Sequence, residues 1–275
     1  MTARGARPLA ADQVFGAHGG AAGIGAEGEV LPSAASTMDV ARERALSGAP
    51  DGYVVLAEHQ TAGRGRKGAW HCPPGRGLLV SVILKLGLPR AEEKLVAIMG
   101  AVAGAEAVRR FGVPGQIKWP NDVVVGAAED GPLRVRKLGG VLVERVPRGD
   151  AAPAHILGIG LNVNQSPDEL PRRRAVEPTS MHIESGRDFD RNAVCRALLA
   201  ELNSWYRRLA MGQQEHVLAR WRRRSCLLDR DVRARVGGRV LKGKVTGVRS
   251  TGELILRDAA GRRVVLSEGK ARLLL

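Results

Sequence analysis

Residues 63–70 read Gly63, Arg64, Gly65, Arg66, Lys67, Gly68, Ala69 and Trp70, which brings glycines, cations and an indole into one short stretch. Glycine lets backbone N–H groups approach a ligand and form an anion-holding concavity, Arg and Lys neutralise phosphate oxygens, and a tryptophan face stacks on a base. The chemistry on offer is the cradling of an anionic, phosphate-bearing ligand. Gly-Arg alternation also occurs in disordered segments that touch RNA, so the surroundings must decide. A second cluster, Lys118, Trp119, Pro120, Asn121 and Asp122, sets a carboxylate beside a lysine and an indole, and Lys137 opens an apolar run. Only eight of the 43 Lys and Arg are lysine, so Lys118 and Lys137 carry more information than an arginine would.

The flanking elements favour a ligand site. A buried strand over residues 53–57 delivers the chain to Gln60 and the Gly-Arg loop, and a second strand at 77–86 is too apolar for a solvated edge. The loop is therefore predicted to be tethered at both ends on a strand-end rim. Ser36 and Thr37 read as the cap of a helix running to about residue 46. A helix at 92–111 places Leu95, Ile98, Met99, Val102 and Ala105 on one face. Strands follow at 116–125, broken by the Pro120, Asn121, Asp122 turn, and, after a polar loop at 126–135, at 137–144 and 156–164. Gly139, Gly140, Gly158 and Gly160 interrupt these last strands. Glycine weakens a strand unless something approaches the backbone closely, so the notches predict a ligand lying across the sheet.

Residues 165–188 read as loop with a helical turn near Ser180, and long helices are expected at 190–211 and 213–224. Arg220, Arg222, Arg223 and Arg224 then form a solvated face. From Asp231 onward short alternating strands at 232–236, 240–248, 253–257 and 263–266, separated by glycine turns, predict a small antiparallel barrel. Residues 1–31, rich in Gly and Ala and without a period, are expected to be a flexible tail. The division is thus tail 1–31, main domain 32–226 and barrel 227–275.

Composition adds bounds. The chain has 275 residues, 44% of them hydrophobic, which is enough for a sizeable core. A formal charge of +15 would ordinarily point to nucleic acid, but the excess is mostly arginine in an Ala- and Gly-rich chain, so compositional bias accounts for much of it. Cys72, Cys195 and Cys226 lack metal-ligand spacing and read as free thiols of a reducing compartment. No membrane span or signal peptide is evident, and a cytoplasmic location is expected.

In chain order, the Gly-Arg loop, the Lys-Trp-Pro-Asn-Asp cluster, residues 137–144 and residues 156–164 closely resemble the motif set of biotin protein ligases. The resemblance runs from Ser36 to the end. It implies an α+β fold, a mixed sheet with covering helices like the catalytic domain of class II aminoacyl-tRNA synthetases, followed by an SH3-like barrel. It implies an ATP-dependent biotin–[biotin carboxyl carrier protein] ligase that makes biotinyl-adenylate and passes biotin to a lysine of a carrier domain. Biotin and ATP are then substrates, with Mg2+. Lys137, Arg64, Asp122 and Lys118 take the catalytic roles. Biotin is expected against Ser36, Thr37, Gln60, Gly63, Arg64, Lys137, Gly139, Gly140, Gly158 and Gly160. ATP and adenylate are expected at Gly63, Arg64, Gly65, Arg66, Gly68, Trp70, Asn121, Lys137 and Asn162, with Trp70 stacking near adenine and Asn162 bonding its edge. No metal is fixed by the protein alone, although Mg2+ near Asp122 is expected.

Plainer readings stand beside these: Ser36 and Thr37 as a helix cap, Trp70 and Trp119 as core aromatics, Asn162 and Asn164 as turn formers. A lipoate-type acyl-adenylate ligase shares the logic, and a basic nucleic-acid-binding module is the alternative of a different class. Family members that double as repressors carry an N-terminal DNA-binding domain. Residues 1–31 show no such pattern, so specific DNA binding is not expected. The strand at 140–146 is expected to meet the carrier through its edge or to pair with its counterpart in a dimer, giving a monomer or weak homodimer.

The loop departs from the family in having Ala69 and Trp70 after Gly68, where a further arginine is usual, and Met38 stands where an asparagine commonly follows the Ser-Thr pair. Looser retention of the adenylate follows from the missing cation. Inserting an arginine after Gly68 is expected to slow adenylate release in a stopped-flow chase, and equal rates with and without it would remove the idea.

Overall fold

The computed structural model describes residues 7–16, 23–66, 68–126, 133–149, 151–171 and 176–274; Lys67 and most of the predicted loop at 126–135 lie outside this set. In chain order the first elements are α1 (Ala11–Val14), β1 (Gly28–Leu31), α2 (Thr37–Leu46), β2 (Val54–Ala57), β3 (Arg64–Gly65), β4 (Gly68–Ala69), β5 (Gly77–Leu84) and α3 (Lys94–Arg109). Next come β6 (Gln116–Lys118), β7 (Asp122–Val125), β8 (Arg136–Arg148), β9 (Ala151–Asn162), β10 (Glu177–Pro178), α4 (Met181–Ser185), α5 (Arg191–Ala210) and α6 (Gln214–Arg224). The last strands are β11 (Asp231–Val236), β12 (Arg239–Val248), β13 (Leu254–Arg257), β14 (Arg263–Leu266) and β15 (Ala271–Leu274).

The mixed sheet has the order β1-β2-β5-β9-β8-β7-β6, with β10 against β8. Its central strands bury both faces, because α3 and α5 cover one side and α2 the other. Two glycines let α3 lie close: a Cβ at Gly100 would meet Leu157 Cδ1 at 2.9 Å and one at Gly104 would meet Val123 Cγ2 at 3.0 Å. Ser36 caps α2 by accepting from Met38 N, and Asp190 caps α5 by accepting from Asn192 N.

Two expectations change. The leading segment is not simply a tail: β1 pairs in parallel with β2, Gly28 opposite Val54, and Leu9, Val14 and Ile24 are buried in the main core. Side chains of α5 hold its backbone, since Asn192 Oδ1 accepts from Ala10 N at 3.0 Å and Asn203 Oδ1 accepts from Ile24 N at 3.3 Å. That order comes from distant partners, which local periodicity does not reveal. The predicted small barrel is an open five-stranded antiparallel sheet, β14-β13-β12-β11-β15, with no strand pairing between its two ends among the described residues. Its inner face shares the main core, and Trp119 Nε1 donates to Gly252 O at 3.0 Å.

Cys72, Cys195 and Cys226 are free and buried, and burial pushes each thiol up to about 12. Among the described residues no helix is long and apolar enough to cross a membrane.

Ile24→Ala tests the docking of the leading segment. A fully buried isoleucine truncated to alanine should lose about 2–5 kcal/mol in urea unfolding, whereas a loss within about 0.5 kcal/mol, the range of ordinary surface substitutions, would show that the segment lies outside the cooperative core.

Candidate active site

A cavity of about 690 Å3 opens on the α2 side of the sheet, bounded by the Gly-Arg hairpin, the β6–β7 turn, the glycines of β8 and β9, and β15. That is within the usual range for a small-molecule site. Its lining includes the predicted Ser36, Thr37, Gln60, Arg64, Gly65, Arg66, Gly68 and Trp70 from the first part of the chain. Lys118, Asn121, Asp122, Lys137, Gly140, Gly158, Gly160 and Asn162 join them from the second. Gly63 and Gly139 do not line it. A Cβ on Gly63 would meet Trp70 O and Gln60 Nε2, and one on Gly139 would meet Leu161 Cδ2 at 2.5 Å, on the core side of the sheet.

The position of Gly139 explains that of Lys137. The β7–β8 register shifts between Val123 and Val124, so that Leu138 and Gly139 both turn to the core. A bulge of this kind re-aims a side chain. Without it, strand alternation would put Lys137 and Gly140 on opposite faces. With it, both face the cavity.

Asp122 sits between two ammonium groups. Its Oδ1 accepts from Lys137 Nζ at 2.5 Å and its Oδ2 from Lys118 Nζ at 3.3 Å. Burial alone would raise its pKa, but Lys137 and Lys118 outweigh burial and hold the carboxyl below the ordinary carboxylate range. The three groups carry one net positive charge. Lys137 Nζ also lies 5.9 Å from the Trp70 ring centroid.

A polar relay closes the opposite end. Gln60 Oε1 accepts from Thr37 N at 2.7 Å and from Thr37 Oγ1 at 2.9 Å, and Ser81 Oγ donates to Thr37 Oγ1 at 2.8 Å. Ser81 escaped the sequence reading, although a lone serine inside the otherwise apolar 77–86 run was the signal. Ser36 also lines the cavity, so its capping and lining roles coexist.

The notches are not open to a ligand as expected. A Cβ at Gly158 would meet Met38 Sδ at 2.7 Å, and one at Gly160 would run into Trp70 Cε2. The protein's own thioether and indole therefore rest on these glycines. Asn162 is also committed: its Nδ2 donates to Thr179 O at 2.8 Å and its Oδ1 accepts from Gln165 Nε2 at 3.1 Å. Asn121 Nδ2 donates to Val141 O at 2.5 Å. The loop arginines are paired, Arg64 with Asp39 at 2.6 Å and Glu144 at 3.0 Å, and Arg66 with Glu268 at 2.8 Å. Arg272 on β15 lines the cavity, and sequence reading passed over it because residues 271–274 offered no strand signal.

Residues 30–164 match the biotin/lipoate A/B protein ligase family. A biotin–[acetyl-CoA-carboxylase] ligase of Mycobacterium tuberculosis is 32% identical over 268 residues, covering 94% of this chain and 91% of that protein. The chain belongs to the biotin protein ligase family. A bifunctional ligase/repressor of Bacillus spizizenii is 31% identical over 234 residues, 84% of this chain and 70% of that one. In structure, the biotin protein ligase from Aquifex aeolicus in complex with biotin and ATP superposes with a TM-score of 0.72 at 25% identity, over 90% of this chain and 98% of that one.

At the arginine-rich end of α6, Arg220 and Arg224 share Glu106 and Arg222 pairs with Glu215, while Arg223 stays exposed. That weakens one support of the nucleic-acid alternative.

Since Asp122 titrates lower folded than unfolded, its pairing stabilises the fold above the unfolded value of roughly 3.9 and is lost as pH falls through the folded value. Asp122→Asn should therefore cost about 1–3 kcal/mol at neutral pH, with the deficit shrinking in acid. A deficit that stays constant across a urea-unfolding series from neutral to strongly acid pH would contradict the assignment.

Proposed function

We propose that this chain activates biotin with ATP and transfers the biotinyl group to a lysine of a biotin carboxyl carrier domain. In the first half-reaction a biotin carboxylate oxygen attacks the α-phosphorus, the bond to the β-phosphate breaks and pyrophosphate leaves. In the second, the carrier amine attacks the acyl carbon, AMP leaves and the amine loses its proton. The observation that carries this reading is the Lys118, Asp122, Lys137 cluster facing a glycine-walled cavity in a member of this family.

Two anions must meet, so preorganised cations are what the first step requires. Lys137 faces the reacting carboxylate and α-phosphate, with Asp122 holding its ammonium in place and Lys118 supplying the balancing charge. Thr37 and Gln60 offer matched donors and acceptors to the ureido ring, beside Ser36, and Ser81 fixes the Thr37 hydroxyl from behind. Trp70 swings from Gly160 to stack near adenine, and its buried Nε1, which donates to no group among the described residues, loses nothing by moving. Met38 stays on Gly158 and narrows the biotin mouth. Arg64 and Arg66 exchange their carboxylate partners for phosphate.

Asp122 is the sole carboxylate among the described lining residues, and both its oxygens are engaged. This donor set fits an Mg2+ ion held chiefly by the phosphates of ATP. The carrier approaches along the edge of β8, which has no strand partner on the β7 side beyond Gly140 among the described residues. We place the reaction in the cytoplasm, with the chain acting as a monomer or weak homodimer.

Biotin-dependent exchange of labelled pyrophosphate into ATP tests the first step. Lys137→Ala should lower it by on the order of 10^2 to 10^3, and lipoate should not replace biotin. Undiminished exchange in the variant, or equal exchange with lipoate, would refute this reading.

A further inference from the structure

The C-terminal sheet places like charges opposite one another. On its outward face Arg233 lies opposite Lys242, Arg235 opposite Arg272, and Arg257 opposite both Lys244 and Arg263. All of these are exposed. Like charges directly across a ladder destabilise it, so folding alone gives no reason for the arrangement.

Local pairing neutralises only a small part of this charge. Residues 227–275 contain twelve Lys and Arg against five Asp and Glu, about half of the whole chain's excess in less than a fifth of its length. Glu253 is taken by Lys94, Asp258 by Arg262 and Glu268 by Arg66. Asp231, opposite Lys244, shares the basic face. Compositional bias toward arginine explains the number of cations. It does not explain why Glu253 and Glu268 pair outside this segment, with Lys94 and Arg66, while like charges face one another on its strands.

The face is continuous with the cavity. Arg272 and Leu274, which lie opposite Arg235 and Arg233, both line it. A partner held on this sheet thus sits at the mouth where the activated group is made. The same residues 227–275 contain no Phe, Trp or Tyr, so they offer no stacking platform for unpaired bases.

We infer that the outward face of the C-terminal sheet is the electrostatic docking surface for the acceptor protein, a carrier domain with an acidic surface near its target lysine. This rests on the ligase reading above. Complementary charge raises the encounter rate and orients the acceptor, and salt screens it.

The test uses the full chain, a purified biotin carboxyl carrier domain, biotin and Mg-ATP. The variants are Arg233→Glu with Lys242→Glu, and the milder Arg233→Gln with Lys242→Gln, all at exposed positions outside the cavity lining. Biotinyl-adenylate formation, read as pyrophosphate release without carrier, should match the unsubstituted protein. The KM for the carrier should rise about tenfold or more with the reversal and less with the neutral pair, while kcat at saturating carrier holds. Raising salt should raise the carrier KM of the unsubstituted protein and affect the reversal variant much less.

An unchanged carrier KM and salt response in variants that form adenylate normally would overturn the docking surface alone. So would loss of binding to a duplex or single-stranded oligonucleotide with carrier KM unaffected, which would assign the face to nucleic acid. Failure of the unsubstituted protein to form adenylate would instead remove the ligase reading, and this inference with it.

Discussion

A carboxylate held between two ammonium groups is the constraint on which the cavity depends. Asp122 begins β7, Lys118 ends β6 and Lys137 stands near the start of β8, so the cluster ties a turn and three strands at one point. Mostly buried ions of this kind stabilise only when their partners are in place, because a lone charge in that position would be costly. The bulge at Leu138 and Gly139 makes the pairing possible, and the residual positive charge faces the space where negative charge must be accommodated.

The opposite wall is held more lightly. Arg64 and Arg66 fasten the Gly-Arg hairpin to α2, β8 and the C-terminal sheet through ion pairs whose side chains stay about a third exposed on the arginine side. Exposed pairs contribute little individually and exchange readily. The Trp70 indole lies on Gly160 beside the Lys137 ammonium, without a hydrogen bond from its Nε1 among the described residues. The result is a rigid floor of paired strands under a cover whose contacts can be traded for those of a ligand.

The sheet, the long helices and the position of the Gly-Arg loop were legible because each is written locally. The 77–86 and 156–164 runs are apolar, α3 carries a helical stripe, and Ser36 and Asp190 mark helix starts. What escaped depends on distant partners. β1 is only half-buried along its length and takes its order from β2, and Leu9 and Ile24 are pinned by a core and an α5 that no window around residues 1–31 contains. The glycine notches were seen at the right strands, yet that Met38 and Trp70 fill them is a fact of packing. Gly139 was assigned to the ligand side because simple inspection cannot register the bulge that turns it to the core.

Charge was the feature most easily misjudged. Read as a total it suggested compositional bias, and in the fold three of the four α6 arginines pair with Glu106 and Glu215. Strand register then separated these paired cations from those left facing one another on the C-terminal sheet. The central claim, that this cavity makes an activated biotin and delivers it to a protein lysine, is tested most directly by intact-mass analysis of a carrier domain incubated with the chain, biotin and Mg-ATP. The account predicts addition of one biotinyl group that disappears when biotin or ATP is omitted or the acceptor lysine is replaced by arginine; an unmodified carrier under the complete conditions would contradict it.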